Sequence, residues 1–411
     1  MSNINKHIMI LGGGQAAAFA ASTIRQYDKN STLTLISEEK FLPYERPPLS
    51  KDYLLNKMTE DQCLFFDENF YINNNIEIIN NEKIINVDFS KFNMTSNKNN
   101  EFSFDKLIIA TGSSNNKIKI KNIKDEDMFY LRSISESINI KQNLEKSKSI
   151  LIIGGGFIGL ELASSAIQLG KKTTVVELGS QLMGRIVPTE IAKIIEEKHK
   201  ENGVNFHFNT SIESVIKNTN NYEIKLKNNH SIIVDMIIVG VGSKPNIDIF
   251  ENSKLKLDNG IVTNEFCETS VENIYAAGDV TNFYHPLYKT NIRLESWKHA
   301  QNHGVIAGNN IVGKKTAYSD IPWMWSDQYD LNLQLTGKCD DYDSIAKRGF
   351  DEKTGVVYFF LKNRKITGAC GVGVGGKIGK DIRLGGKLAE KKIIVNKEIL
   401  SDPSQKLNKI I

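Results

Sequence analysis

The chain has 411 residues, of which 40% are hydrophobic and 24% charged, with a formal charge of +4. These proportions exclude a mainly disordered chain, a collagen-like repeat and a small disulfide scaffold, and the length predicts two to four domains. The charge is uneven: residues 320–411 hold 16 Lys+Arg against 12 Asp+Glu, while residues 1–319 hold 36 of each. The excess therefore lies in the last quarter, which hints at an acidic partner there, the alternative being an ordinary solvated basic surface.

In chain order, His7–Leu11 reads as a short buried strand, Gly12-Gly13-Gly14-Gln15-Ala16-Ala17 as a tight turn, and the residues up to Tyr27 as a helix. The next strand, Thr32–Ile36, runs into Ser37-Glu38-Glu39. Leu42–Lys51, with the core Glu45-Arg46-Pro47-Pro48-Leu49-Ser50-Lys51, reads as a stiff loop. Its prolines fix the backbone and set Arg46 and Lys51 on a stiffened platform. The polar stretch Asn93–Glu101 reads as a turn or loop. Leu107–Ile109 is a buried strand that ends in the turn Ala110-Thr111-Gly112.

The strand–turn–helix pattern then returns as Ser149–Ile153, Gly154-Gly155-Gly156-Phe157-Ile158-Gly159 and a helix to Leu169, followed by the strand Thr173–Val176 and Glu177. Both copies fit the G-x-G-x-x-G/A dinucleotide fingerprint, with Ala17 at the third small position of the first. The first glycine takes an angle that a Cβ would block and the second lets backbone approach a pyrophosphate. The third small residue lets helix and strand pack, and the phosphates meet free N–H groups at the positive end of the helix. The acids after the second strands, Glu38 and Glu177, suit an adenosine ribose, and Glu177 with no basic residue directly after it favours NADH over NADPH. Two such sites in one chain suggest FAD with a nicotinamide nucleotide.

Asn218–Asn221 and Asn228-Asn229 read as hairpin turns around Tyr222–Leu226 and Ile232–Val234. Gly242 lies in Gly240-Val-Gly-Ser-Lys-Pro-Asn246, and Ile274–Ala277 is a buried strand with Asp279 just past its end. Arg293-Leu294-Glu295-Ser296-Trp297 leads into a helix, Lys298–Ile311. Beyond it, Val356–Leu361 and Ile366–Cys370 form a hairpin and Ile378–Glu390 a helix. Gly371–Gly376 lacks the strand and acid of a nucleotide fingerprint. Cys63, Cys267, Cys339 and Cys370 form no Cys-x-x-Cys pair, so neither a dithiol nor a metal site is expected. Scattered cysteines, the absence of a signal-peptide pattern before Gly12, and the charge and glycines within Ser149–Leu169 predict a cytoplasmic protein without membrane insertion. Nothing points to nucleic acid.

Five segments carry a family resemblance: Leu42–Lys51, Ala110–Gly112, Gly240–Asn246, Ile274–Val280 and Trp323-Met-Trp-Ser-Asp-Gln-Tyr329. Together they resemble the flavin-dependent ferredoxin reductases of oxygenase systems, including putidaredoxin reductase and the NADH reductases that serve Rieske dioxygenases, a structural group shared with apoptosis-inducing factor. The resemblance covers nearly the whole chain. It implies an α/β fold of two nested Rossmann-like domains plus a C-terminal α+β domain: FAD-binding at 1–113 and 240–319, NAD-binding at 114–239, C-terminal at 320–411. It also implies that Arg46 contacts the FAD pyrophosphate region, that Lys51 lies beside the flavin ring, and that Glu161 faces the nicotinamide and pairs with Lys51. Asp279 would bind the ribityl chain, Glu295, Ser296 and Trp297 would lie along the ring, and Trp325 near it. The implied activity is hydride transfer from NADH and single-electron delivery to an acidic [2Fe-2S] ferredoxin or a rubredoxin, by a monomer or homodimer. The alternatives are a monodehydroascorbate-type or other small-acceptor reductase, an oxidase or peroxidase using Cys63, and a redox-sensing flavoprotein like apoptosis-inducing factor. A disulfide reductase would need a cysteine pair where Pro47–Lys51 stands.

Overall fold

The structure, a computed structural model, describes residues 6–184 and 186–410. The chain divides into two compact units, one made of residues 1–46, 59–114 and 243–320, the other of 47–58, 115–242 and 321–411.

The first unit is built on a five-stranded parallel sheet ordered Ile274–Ala276, Lys106–Ile109, His7–Leu11, Thr32–Ile36, Ile76–Ile79. Its central strands are apolar on both faces, as a sheet covered on both sides requires. One face buries Ile8, Ile10, Leu33, Leu35 and Ile108 against helix Gln15–Tyr27 and helix Trp297–Ile311. The two helices approach closely because small residues face each other. A Cβ on Gly304 would stand 2.3 Å from the Ala16 carbonyl oxygen, and one on Gly308 2.8 Å from that of Ala20. The other face buries Met9, Leu11, Leu107 and Ile109 with Met94, Phe104 and Phe250.

Met94 belongs to Asn93–Glu101, whose polar sequence predicts a turn or loop. Asn93–Ser96 is instead a strand, paired antiparallel with Ile84–Asp88 and Glu101–Ser103. Polar composition misled that reading: only Met94 and Ser96 face inward, an alternation of two buried residues in four that is too short to stand out.

The second unit repeats the parallel arrangement in the order Asn205–His207, Lys172–Val176, Ser149–Ile153, Met236–Val239, Phe129–Tyr130. The predicted hairpins appear as an antiparallel sheet of Ile212–Lys217, Tyr222–Leu226 and Ser231–Val234. The C-terminal part is a five-stranded antiparallel sheet, ordered Trp323–Gln328, Leu331–Gly337, Lys365–Val374, Val356–Lys362, Ser344–Gly349, with helix Gly379–Glu390 packed on it. Gly371–Val374 lies inside one of those strands rather than in a nucleotide turn. Among the described residues, no helix is long and apolar enough to cross a membrane. The fold is thus mixed α/β, two Rossmann-like sheets and a C-terminal α+β part.

Candidate active site

The two glycine turns are built alike. Gly12 and Gly154 hold φ of 133° and 105°, and a Cβ on either would meet the carbonyl oxygen of Ala110 or Gly240 at 2.2 or 2.3 Å. Gly159 is equally closed, a Cβ there lying 2.1 Å from the Gly154 oxygen, whereas the first copy accommodates the buried Ala17. Gly14 and Gly156 differ: a Cβ on either would meet nothing within 4 Å. They cap helices Gln15–Tyr27 and Phe157–Gln168 with no side-chain hydrogen bond and no acid in the first turn. Among the described residues no side chain caps either helix start, and the space beside Gly14 and Gly156 is open, an arrangement that suits a pyrophosphate. Gln15 follows the first cradle and carries a buried side-chain nitrogen without a hydrogen-bond partner. Phe157 and Ile158 open the second helix, Ile158 exposed to solvent.

The acids after the strands are not equivalent. Leu11 pairs with Ile36 and Ile153 with Val176, so the register puts Ser37, one residue before Glu38, at the position of Glu177. Glu38 is more than half exposed and paired with Lys83 at 3.1 Å. Glu177 accepts from the Gly155 N–H and the Gly179 N–H, both at 2.7 Å. It therefore ties the second turn together before any ribose is present.

In the first unit, Arg46 is clamped by Glu39 at 2.7 Å, with the Tyr44 hydroxyl at 3.4 Å. Burial opposes its charge, but the fields of Tyr44, Glu39 and Asp279 outweigh that and raise its pKa. Asp279 is buried and accepts from the Ser113 hydroxyl at 3.3 Å. The Ala110–Gly112 turn is stapled by Asn246, whose side chain donates to the Thr111 carbonyl at 2.8 Å while the Thr111 hydroxyl donates to the Asn246 carbonyl at 3.0 Å. Glu295 pairs with Arg293 and accepts from Ser243. Ser296 caps helix Trp297–Ile311, accepting from the His299 N–H.

In the second unit, Pro47–Ser50 forms a one-turn helix held against two neighbours. Ser137 donates to the Leu49 carbonyl at 2.8 Å and Ser165 to the Ser50 carbonyl at 2.6 Å. This platform brings Lys51 to Glu161 at 3.2 Å. Glu161 is 4% exposed, a burial a carboxylate tolerates only with full hydrogen bonding. It also accepts from Ser50 at 2.5 Å and Ser326 at 2.7 Å. Neither serine stands out in the sequence, although Ser50 lies within Leu42–Lys51 and Ser326 within Trp323–Tyr329. Lys51 also sits over the Trp325 ring, 5.8 Å from its centroid, while Trp325 stacks on Trp323 and donates to Asp327 at 3.0 Å. Gly242, at φ 92°, accepts through its carbonyl from the Asn116 N–H at 2.9 Å.

The cysteines are free. Burial, with Glu45 and Glu60 nearby, pushes the Cys63 thiol up to about 11, and burial pushes Cys339 to about 12. Cys267 and Cys370 are raised by burial as well. Burial thus disfavours the thiolate at each of them. Among the described residues, no group of side chains is arranged to hold a metal.

Two glycine turns of the same build, a buried lysine–glutamate pair and four unpaired cysteines fit an oxidoreductase that uses two nucleotides without a dithiol. Residues 6–304 match the pyridine nucleotide-disulphide oxidoreductase family and residues 323–411 the reductase C-terminal family. The chain belongs to the pyridine nucleotide-disulphide oxidoreductases, enzymes that use FAD and NAD(H), in the branch that carries this C-terminal domain. It is 34% identical to a rubredoxin-NAD(+) reductase of Ectopseudomonas oleovorans over 341 residues, 82% of this chain and 88% of that one. It is 32% identical to the ferredoxin--NAD(+) reductase component of a 3-phenylpropionate/cinnamic acid dioxygenase of Photorhabdus laumondii, covering 90% and 94%. Among solved structures it resembles the ferredoxin reductase for the CYP199A2 system of Rhodopseudomonas palustris, with a TM-score of 0.93 at 29% identity, covering 98% and 99%. It also resembles the covalent putidaredoxin reductase–putidaredoxin complex, with a TM-score of 0.93 at 25% identity, covering 99% and 98%.

Proposed function

We propose that this chain oxidises NADH and delivers the electrons singly to a small iron–sulfur protein, an acidic [2Fe-2S] ferredoxin or a rubredoxin, that feeds an oxygenase. Bound FAD would supply the change from a two-electron donor to a one-electron acceptor. The observation that carries the reading is the buried Lys51–Glu161 pair on a proline platform where a disulfide reductase would need cysteines. The names of the relatives supply the acceptor class.

In this reading the first cradle, Gly12, Gly14, Gln15, Ala16 and Ala17, holds the FAD pyrophosphate with Arg46. Glu38 serves its ribose, and Asp279, Ala110–Gly112 and Glu295–Trp297 serve the rest of the molecule. The second cradle, Gly154, Gly156, Phe157, Ile158 and Gly159 with Glu177 and Gly242, holds NADH. Lys51 provides positive charge beside the ring, steadied by Glu161 and Trp325. Glu161 faces the nicotinamide and, with its other acceptor positions filled, is held to one orientation. Residues 1–113 and 240–319 then form the FAD-binding domain, 114–239 the NAD-binding domain and 320–411 the C-terminal domain. We place the protein in the cytoplasm, whose reducing conditions suit four free cysteines, as a monomer or homodimer.

Anaerobic titration of the purified FAD-loaded protein tests the nucleotide half. NADH at stoichiometric amounts should bleach the flavin absorbance and Lys51→Ala should slow that step by about tenfold or more. Equal reduction of wild type and variant would remove Lys51 from the site.

A further inference from the structure

Strand Trp323–Gln328 places Ser326 and Gln328 on the same face, two residues apart, and both are buried. Buried polar side chains need partners, and theirs form a line. The Glu161 carboxylate can only accept, so the Ser326 hydroxyl donates to it at 2.7 Å. The Ser326 oxygen then accepts from the Gln328 side-chain nitrogen at 3.1 Å. That turns the Gln328 oxygen towards Nε2 of His199, 2.8 Å away on the buried face of helix Thr189–Glu201, so Nε2 carries the proton. Nδ1 is left as an acceptor, and the Tyr329 hydroxyl reaches it at 3.2 Å. Tyr329 is set there by its left-handed backbone, φ 57°, and by its N–H, which donates to the Ser164 hydroxyl at 2.9 Å. Four donations run in one direction and end on Glu161, and each polarises the next. Burial keeps the imidazole neutral, its pKa lowered to about 4 despite the Gln328 bond, so the direction is not scrambled by a second ring proton.

We propose that His199 is a positioning residue for Glu161, acting through a one-way hydrogen-bond chain of Tyr329, His199, Gln328 and Ser326. The proposal rests on the reading of Glu161 as the acid that faces the nicotinamide. A histidine kept only for packing, with Phe206 edge-on at 6.1 Å, would not sense the charge at Glu161; a member of the chain would.

The test uses the full-length, FAD-loaded protein and two readouts. With histidine nitrogen-15 labelling, the His199 Nε2–H resonance should move when Glu161→Gln removes the terminal charge, a measurement that leaves His199 itself intact. In anaerobic stopped flow, His199→Phe, which keeps an aromatic ring but no nitrogen, should slow NADH-driven flavin reduction by about fivefold. His199→Gln, which keeps a donor and an acceptor, should recover most of that rate. In a Glu161→Gln background, His199→Phe should add no further slowing. An unmoved His199 resonance, or equal slowing by His199→Phe in both backgrounds, overturns the chain. If Glu161→Gln alone leaves flavin reduction unchanged, the reading of Glu161 is what fails, and the proposal built on it falls too. If Glu161→Gln slows reduction and His199→Phe does not, the chain alone falls.

Discussion

Glu177 spends both carboxylate oxygens on the backbone of its own turn, Gly155 and Gly179. It therefore holds the second turn in shape, and in the proposed reading the remaining lone pairs of the carboxylate serve a ribose. Glu177→Ala should weaken NADH binding by about tenfold or more and lower the melting temperature, because charge-assisted N–H bonds are lost. Glu177→Arg should shift preference from NADH towards NADPH. An unchanged NADH/NADPH ratio in both variants, measured by titration, would take the ribose away from Glu177. Three histidines also act on stability. Burial pulls His199 and His299 down to about 4 and lowers His303 as well. The ring of His299 donates to or accepts from Tyr318, and both His299 and His303 pack on Phe283. Each is neutral when folded and titrates near 6.5 when unfolded. The stability they give is complete above pH 6.5 and is lost as pH falls from there towards 4, where the unfolded chain alone takes up protons. The melting temperature should fall over that interval, and a flat profile between pH 6.5 and 5 would contradict the burial of these rings.

At the scale of elements, two glycines of one turn should behave in opposite ways. Gly14→Ala adds a Cβ where nothing stands and where φ is −93°, so folding should be unaffected while FAD affinity drops. Gly12→Ala meets the Ala110 oxygen at φ 133° and should destabilise the unit by about 1–3 kcal/mol or more. Gly304→Val should do the same by forcing apart helices Gln15–Tyr27 and Trp297–Ile311. Thermal melts and flavin retention after gel filtration separate the two outcomes; equal FAD loss and equal melting for Gly12→Ala and Gly14→Ala would refute the distinction. These turns were legible because strand, glycines and helix are contiguous, so local pattern defines them. The strand Asn93–Ser96 was not, since its inward residues are few and its pairing partners lie outside its own segment. Nor was the company of Glu161: Ser50 is 111 positions before it and Ser326 165 after it, and only tertiary packing unites them. His199 gave no signal at all, since a lone histidine on an amphipathic helix resembles any other.

For the molecule as a whole, the basic excess of residues 320–411 is partly spent inside the fold. Arg348 is buried, paired with Asp381 at 2.7 Å and bonded to the carbonyls of Asp402, Pro403 and Gln405, and Lys362 is paired with Asp341. Lys391 and Lys392 of the same segment are exposed to solvent, where they add to the field met by an acidic partner. Replacing both with Gln should slow reduction of an acidic ferredoxin about threefold at low salt and leave it nearly unchanged at high salt, as electrostatic steering requires. An unaltered low-salt rate would reject steering from this patch. One-electron delivery to an iron–sulfur protein is tested by NADH-dependent reduction of cytochrome c by the purified protein, with and without a [2Fe-2S] ferredoxin or a rubredoxin. Turnover should depend strongly on the added iron–sulfur protein. Fast turnover with oxygen, peroxide or monodehydroascorbate, unchanged by its addition, would contradict that delivery.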